Sequence, residues 1–350
     1  MIRDEHPRGP SRRTLIGAGA ALGVGAAVAA PAAGHAETSG KDRRPKKLVP
    51  GDLVVMASPG GTPTPAAIER GIALLQSWGL RVEVGEHAFD ELGGYLAGTD
   101  DDRLADLNWA LGHPEAKAFL ACRGGYGTTR IIDRADFDAL EDHPKVVIGY
   151  SDITTLHLGI AAQTRLPSLH SPMGAWSTNN TPATAEALRA ALMTSAPVAL
   201  QRDPLQSTAN VFVGGKASGK LIGGNLSLLD AEPENRNFPY AEDKIILIEE
   251  VEEARYRVDN MLTRLLRAGA FDDAAGIVIG HFTPREDDPV EAGEWTLSDV
   301  IMDRLGGLGI PILGGVKIGH DPDPRVVPLG THAELDADAG TLVVEAVVKD

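Results

Sequence analysis

The chain has 350 residues, 43% of them hydrophobic and 23% charged, and its 49 acidic against 33 basic side chains give a formal net charge of −16. That acidity weighs against a nucleic-acid partner or docking on anionic lipid, both of which need clustered cations. Cys122 is the only cysteine, so an intrachain disulfide is impossible; no Cys/His spacing suggests zinc, and neither metal nor cofactor is expected.

The first 36 residues read as an export signal of the bacterial twin-arginine type. Ser11-Arg12-Arg13-Thr14-Leu15 precedes an uncharged stretch from Ile16 to Ala30, and Ala32 or Ala36 can end a cleavage site. The stretch is short and only mildly apolar, so cleavage is expected rather than stable membrane insertion. The expected location is outside the cytoplasm: periplasmic, wall-associated or secreted. Residues 1–36 carry four Arg against Asp4 and Glu5, so the remainder is close to −18. Residues 37–47, rich in Ser, Gly, Lys and Arg, read as a disordered leader.

Residues 48–194 alternate strand and helix patterns. Asp52–Ala57 reads as a strand followed by the loop Ser58-Pro59-Gly60-Gly61, Ala66–Trp78 as a helix and Leu80–Val84 as a strand. Asp100–Leu111 is a helix opened by acidic residues, Ala118–Cys122 a strand, and Thr128–Asp133 and Asp136–Leu140 are helical. Cys122 lies in an apolar run and reads as core. Such alternation calls for a doubly wound parallel sheet, whose sites form beyond the carboxyl ends of its strands. Gly60-Gly61-Thr62-Pro63 lacks dinucleotide-binding spacing.

Val146-Val147-Ile148 leads into Gly149-Tyr150-Ser151-Asp152-Ile153-Thr154, a strand, tight turn and helix start. A serine there presents its hydroxyl at the sheet edge beside helix-start N–H groups that can stabilise an oxyanion. The competing reading is a plain helix cap, since the second Gly of G-x-S-x-G is missing.

A Pro-containing polar break at 195–208 reads as a linker, leaving 209–350 as a smaller β-rich domain. Within it Gly214–Asn225 is Gly-rich, Lys244–Val251 and Gly276–Gly280 read as strands, and Tyr256–Arg267 and Thr296–Leu305 as helices. Short strands at Val326–Leu329, Ala333–Leu335 and Thr341–Val348 suggest a small mixed or barrel-like sheet. His320, between the run Val316–Gly319 and the stiff Asp321-Pro322-Asp323-Pro324, is the best-placed base for a serine; His170 and His281 are rivals, and His157, one turn into the helix after Ser151, reads as packed there. Ile245–Val251 places Glu249 and Glu250 on opposite faces of one strand, so they cannot share a role. One is expected to face a site or interface, the other solvent or a basic group.

Together, Ala57-Ser58-Pro59-Gly60, Arg123-Gly124-Gly125-Tyr126-Gly127, the Ser151 turn, Gly223-Gly224-Asn225-Leu226-Ser227, Ile248-Glu249-Glu250-Val251 and Gly319-His320 resemble the LD-carboxypeptidases. That serine peptidase family includes murein tetrapeptide carboxypeptidases and microcin-immunity peptidases. The resemblance implies a triad of Ser151, His320 and Glu249, with backbone amides of Asp152 and of the Gly124–Gly125 turn as oxyanion donors. It implies an active site between an N-terminal α/β domain and a β-rich C-terminal domain, a homodimer, and no metal or cofactor. The expected substrate is a peptidoglycan tetrapeptide losing D-Ala, with Arg123 as candidate for its terminal carboxylate. Trp176 is a candidate base-stacking residue if the substrate is nucleotide-like, as in the microcin-immunity branch. A non-catalytic muropeptide-binding protein is the third reading.

Overall fold

In the computed structural model, residues 43–178, 180–231, 241–285 and 287–350 are described; the expected export signal and residues 37–42 of the expected leader lie outside them. The first half runs β1 (Leu53–Ala57), α1 (Pro65–Ser77), β2 (Arg81–Val84), α2 (Asp100–Gly112), β3 (Ala116–Ala121), α3 (Phe137–Asp142), β4 (Val146–Gly149), α4 (Thr154–Gln163), β5 (Ser168–His170) and α5 (Pro182–Met193). These five strands are parallel, in the order β5-β4-β3-β1-β2. Val54 and Met56 of β1 face the layer holding α1 and α5, while Leu53, Val55 and Ala57 face α2–α4. With both faces covered, the strand is apolar at every position. Strand order reverses between β1 and β3, so the loops leaving them part and open a crevice at the carboxyl edge.

The second half contains β6 (Val198–Gln201), β7 (Phe212–Val213), β8 (Lys216–Asn225), α6 (Leu226–Ala231), β9 (Lys244–Val251), α7 (Arg255–Arg267), β10 (Gly276–Thr283), α8 (Leu297–Leu305), β11 (Ile312–Leu313), β12 (Val327–Leu329), β13 (His332–Asp336) and β14 (Thr341–Val344). Its sheet follows the order β6-β14-β13-β8-β9-β10-β11-β7, with β8 to β11 parallel and the remaining pairings antiparallel. Along β9, Ile246 and Ile248 point into the core beneath α6–α8, and Ile245 and Leu247 into the core on the other face. The sheet is mixed, as expected, but it is open and eight strands wide, and its parallel centre is packed like that of the first sheet.

Three boundaries differ from the sequence reading. The expected linker at 195–208 contains β6, which pairs with β14, so the chain has already entered the second sheet there. The last residues of the expected leader are ordered: Lys47 N donates to Lys349 O at 2.8 Å, and Arg43 pairs with Glu141 at 2.6 Å. Finally, β12 leaves the second half to pair antiparallel with β5 at the edge of the first sheet, and Val347 and Val348 pack into the first core. The two halves are laced together, and residues 43–350 form one compact unit.

Candidate active site

The turn after β4 holds Ser151 at φ 61°, in the left-handed region that a non-glycine residue rarely adopts. Strain there costs about 1–3 kcal/mol and persists only where its surroundings enforce it. A 3-10 turn, Ser151–Ile153, then runs directly into α4. The first bond of the turn runs from Ile153 N to Tyr150 O at 3.2 Å, so the amides of Ser151 and Asp152 precede it, as at any helix start. The strand–turn–helix reading of the sequence therefore holds, in a tighter form than a simple helix cap.

Two loops crowd this turn. Gly61 N donates to Gly124 O at 2.8 Å, tying the loop after β1 to the loop after β3. The fully buried Arg103 of α2 donates from Nη1 to Pro59 O and, at 2.8 Å, to Gly127 O. The buried Asp152 carboxylate accepts from Thr128 N at 3.0 Å and Thr128 Oγ1 at 2.7 Å. Burial raises the Asp152 carboxyl above its ordinary value, with those donors opposing it. The Arg123–Gly127 turn is thus fixed against the serine, so closely that a Cβ on Gly124 would lie 3.3 Å from Ser151 Oγ. Neither Arg103 nor Thr128 stood out in the sequence; an arginine in an acidic helix start was the available signal for the first.

Glu249 ends the inner run of β9 with no exposed surface. Its Oε2 accepts from His320 Nδ1 at 2.8 Å. Burial pushes the Glu249 carboxyl up, but the His320 charge and the neighbouring imidazole donors outweigh it and hold the group at about 2. An ionised carboxylate only accepts, so Nδ1 carries the proton and Nε2 is left for the serine. His320 is pulled down by burial and raised more strongly by the Glu249 charge and hydrogen bond, ending above 6.5. The approach depends on Gly319, at φ 114°, where a Cβ would lie 2.5 Å from Glu249 Oε2. Glu250, on the opposite face, meets neither solvent nor a basic group, contrary to the expectation for it. It is buried, accepting from Asn225 Nδ2 at 3.0 Å, Ser227 N and Oγ at 2.8 Å, and Val251 N at 2.8 Å.

Ser151 and His320 line one cavity of about 490 Å³ together with Arg123, Gly124, Gly125, Tyr150 and Met173. Among the described residues no direct hydrogen bond joins the serine hydroxyl to the imidazole; such bonds tighten when substrate is bound. Tyr150 packs its ring on His320 with centroids 4.8 Å apart. Arg123 reaches the cavity with an exposed side chain whose Nη1 donates to Thr62 O at 2.6 Å. Trp176 does not line it: its neighbours Ala175 and Ser177 do, while the indole packs against the first core, so a substrate-stacking role is not supported.

The remaining candidates sort by their partners. Cys122 is buried, and burial pushes its thiol up to about 12. His157 is buried, bonded to Gly149 O at 3.0 Å and held down at about 3 by desolvation. His281 bonds to Gln206 Oε1 at 2.6 Å and does not line the cavity. His87, Asp90 and Asp102 bring three potential ligand atoms together at the surface, but His87 Nδ1 is bonded to Asp90 and Asp102 caps α2 through Thr99.

This architecture has known counterparts. The LD-carboxypeptidase N-terminal domain matches residues 53–171, and the LD-carboxypeptidase C-terminal domain matches residues 218–335. The Streptomyces coelicolor protein SCO6489 is 39% identical over 309 residues, covering 86% of this chain and 96% of its own. A murein tetrapeptide carboxypeptidase of Pseudomonas aeruginosa is 27% identical over 296 residues, covering 81% and 93%. Among solved structures, the muramoyltetrapeptide carboxypeptidase of Oxalobacter formigenes superposes with a TM-score of 0.74 at 24% identity, over 85% of this chain and all of its own. The microcin C7 self-immunity protein MccF bound to aspartyl sulfamoyl adenosine gives 0.76 at 23%, over 87% and 99%. With both domain matches in order across the two sheets, this chain belongs to the LD-carboxypeptidase family, and is by that membership a peptide hydrolase.

Proposed function

We propose that this protein is a serine LD-carboxypeptidase that removes the C-terminal D-alanine from peptidoglycan tetrapeptides. The observation carrying the reading is the His320–Glu249 pair, which opens on the same cavity as a strained serine. In the reaction His320 Nε2 takes the proton of Ser151 Oγ as that oxygen attacks the carbonyl carbon before the D-residue. Glu249 holds the imidazole by Nδ1 and stabilises its cation. The oxyanion is received by the amides of Asp152 and the Gly124–Gly125 turn. His320 then protonates the leaving amine, and a water activated by the same imidazole hydrolyses the acyl-serine. Arg123 is the cation for the substrate's terminal carboxylate, its hydrogen bond to Thr62 O holding the guanidinium at the cavity mouth. The murein substrate is supported by the names of relatives from Pseudomonas aeruginosa and Oxalobacter formigenes. Residues 1–36 support export, which directs the activity to wall or released fragments outside the cytoplasm, and we assign a homodimer as the working assembly.

Incubation with defined muropeptides, with products identified by mass, tests this reading. Loss of a single D-alanine from the tetrapeptide is expected. Faster cleavage of an aminoacyl-sulfamoyl adenosine would place the protein with the microcin-immunity peptidases; tight muropeptide binding without product would make it a binding protein.

A further inference from the structure

Glu249 has a second histidine neighbour that the triad leaves unused. His170 comes from β5, next to the edge strand of the first sheet, where its backbone pairs with Gly149 of β4 on one side and Val327 of β12 on the other. Its Nε2 lies 3.9 Å from Glu249 Oε1, the oxygen that His320 does not use, and the two side chains are 2% and 0% exposed. His170 Nδ1, His170 Nε2 and Glu249 Oε1 are all buried without a hydrogen-bond partner among the described residues. A carboxylate removed from water needs donors on both oxygens, and an orphaned buried acceptor costs about 1–3 kcal/mol. The remaining gap is under about 1 Å beyond a normal hydrogen bond and too short for a well-placed bridging water.

We propose that His170 is a positioning residue of the catalytic centre, an imidazole that donates from Nε2 to Glu249 Oε1 and so fixes the carboxylate while its other oxygen serves His320. This rests on the serine-hydrolase reading above. The surroundings hold the ring in place. Packed against His170 are Tyr150, edge-on with centroids 5.8 Å apart, and His157 of α4 at 6.5 Å, whose own Nε2 is engaged by Gly149 O. Among the described residues the carboxylate that faces it is Glu249. A donor on Oε1 anchors Glu249 while Oε2 stays engaged with His320 Nδ1. The anchor also joins the sheets, because Glu249 then bridges a histidine of the first sheet and one that follows the second.

His170→Phe keeps the ring volume and removes the donor, whereas His170→Gln restores an N–H near the Nε2 position. In the full-length protein, His170→Phe is expected to lower kcat about tenfold to a hundredfold with KM within about threefold of wild type. The carboxylate, relieved of one donor, would press its charge harder on His320, which also feels Glu250 and Glu252. The acid limb of kcat/KM should therefore move to higher pH in His170→Phe and return in His170→Gln. Wild-type turnover in His170→Phe, or equal losses in both variants with an unmoved limb, would overturn the proposal in favour of simple packing. Should His170→Phe not fold, nitrogen NMR of wild-type protein labelled at histidine decides, with His170→Gln giving the assignment. An Nε2–H facing Glu249 is expected, and an Nδ1–H tautomer with Nε2 bare would refute it. The tautomer is read without turnover, so it stands or falls separately from the carboxypeptidase assignment.

Discussion

The carboxyl end of β4 brings a serine to the cavity, and that of β9 sets a buried carboxylate behind the histidine lining it, by different physical means. After β4 the means is backbone geometry: Ser151 sits in a left-handed conformation, partly exposed, and the loops against it are held by Gly61, Arg103 and Asp152. After β9 the means is exclusion of water: Glu249 has no exposed surface and owes its charge to the imidazoles facing it. A strained turn places an atom and leaves its chemistry ordinary, whereas a buried ion pair changes the proton affinity of whatever it touches. Substitutions at the first should therefore alter rate without altering pH dependence, and those at the second should alter both.

The largest effect on the β9 side is expected from His320→Ala, which removes the base and should lower kcat by about four to six orders of magnitude in steady-state assays. Next is Glu249→Gln, with a loss of about three to four orders. Its pH profile is the more discriminating readout. Glu249 raises His320 above 6.5, so the neutral base forms only above that value, and removing the charge should move the acid limb of kcat/KM to lower pH. Stability follows the same pair. Glu249, held at about 2, contributes stability that is present above the ordinary 4.5 and lost as pH falls through 2. His320 contributes stability present in full below 6.5 and lost as pH rises through its higher folded value. Denaturant titrations of Glu249→Gln should show the greatest deficit between those two ordinary values.

Gly319→Ala comes third. The new Cβ would collide with Glu249 and the backbone would be strained by about 1–3 kcal/mol, so kcat should fall about a hundredfold while wild-type pH dependence is distorted along with the pair. The smallest catalytic effect belongs to Glu250→Gln, one residue away on the other face of the same strand. Its carboxylate organises Asn225 and Ser227, so an amide there should cost about 1–3 kcal/mol in stability, and it should lower the acid limb of kcat/KM less than Glu249→Gln does, because Glu250 acts on His320 through charge alone. A limb shifted in Glu250→Gln as far as in Glu249→Gln would erase the distinction between the two faces of β9.

How far these features can be read from residues alone differs between the same two regions. The β4 side was legible because its signals are local: a β-branched run, a Gly, a Ser and a helical period lie within a dozen residues. The parallel first sheet followed from the alternation of patterns. On the β9 side, adjacency on a strand showed that Glu249 and Glu250 must diverge, but which face was buried depended on α6, α7 and the Gly223–Ser227 segment meeting in space. The three-residue β5 is too short to announce itself, and with it went the contact of His170 with Glu249. Helix α5 went unread, because the alanines that fill it blur the apolar period behind Thr181 and Pro182 at its start. The supposed linker misled because Pro197 and Pro204 flank β6 just outside its ends, where proline is tolerated. No periodicity could reveal that β12 returns to the first sheet, since that pairing joins segments more than 150 residues apart.

Whether two sheets cooperate in one acyl transfer comes down to turnover of a murein tetrapeptide by full-length Ser151→Ala, followed as D-alanine release. A loss of about four to six orders of magnitude, with the folded protein still binding the peptide, is the result expected of a serine nucleophile. Hydrolysis near the wild-type rate would contradict it and would leave His320 and Glu249 serving some other chemistry.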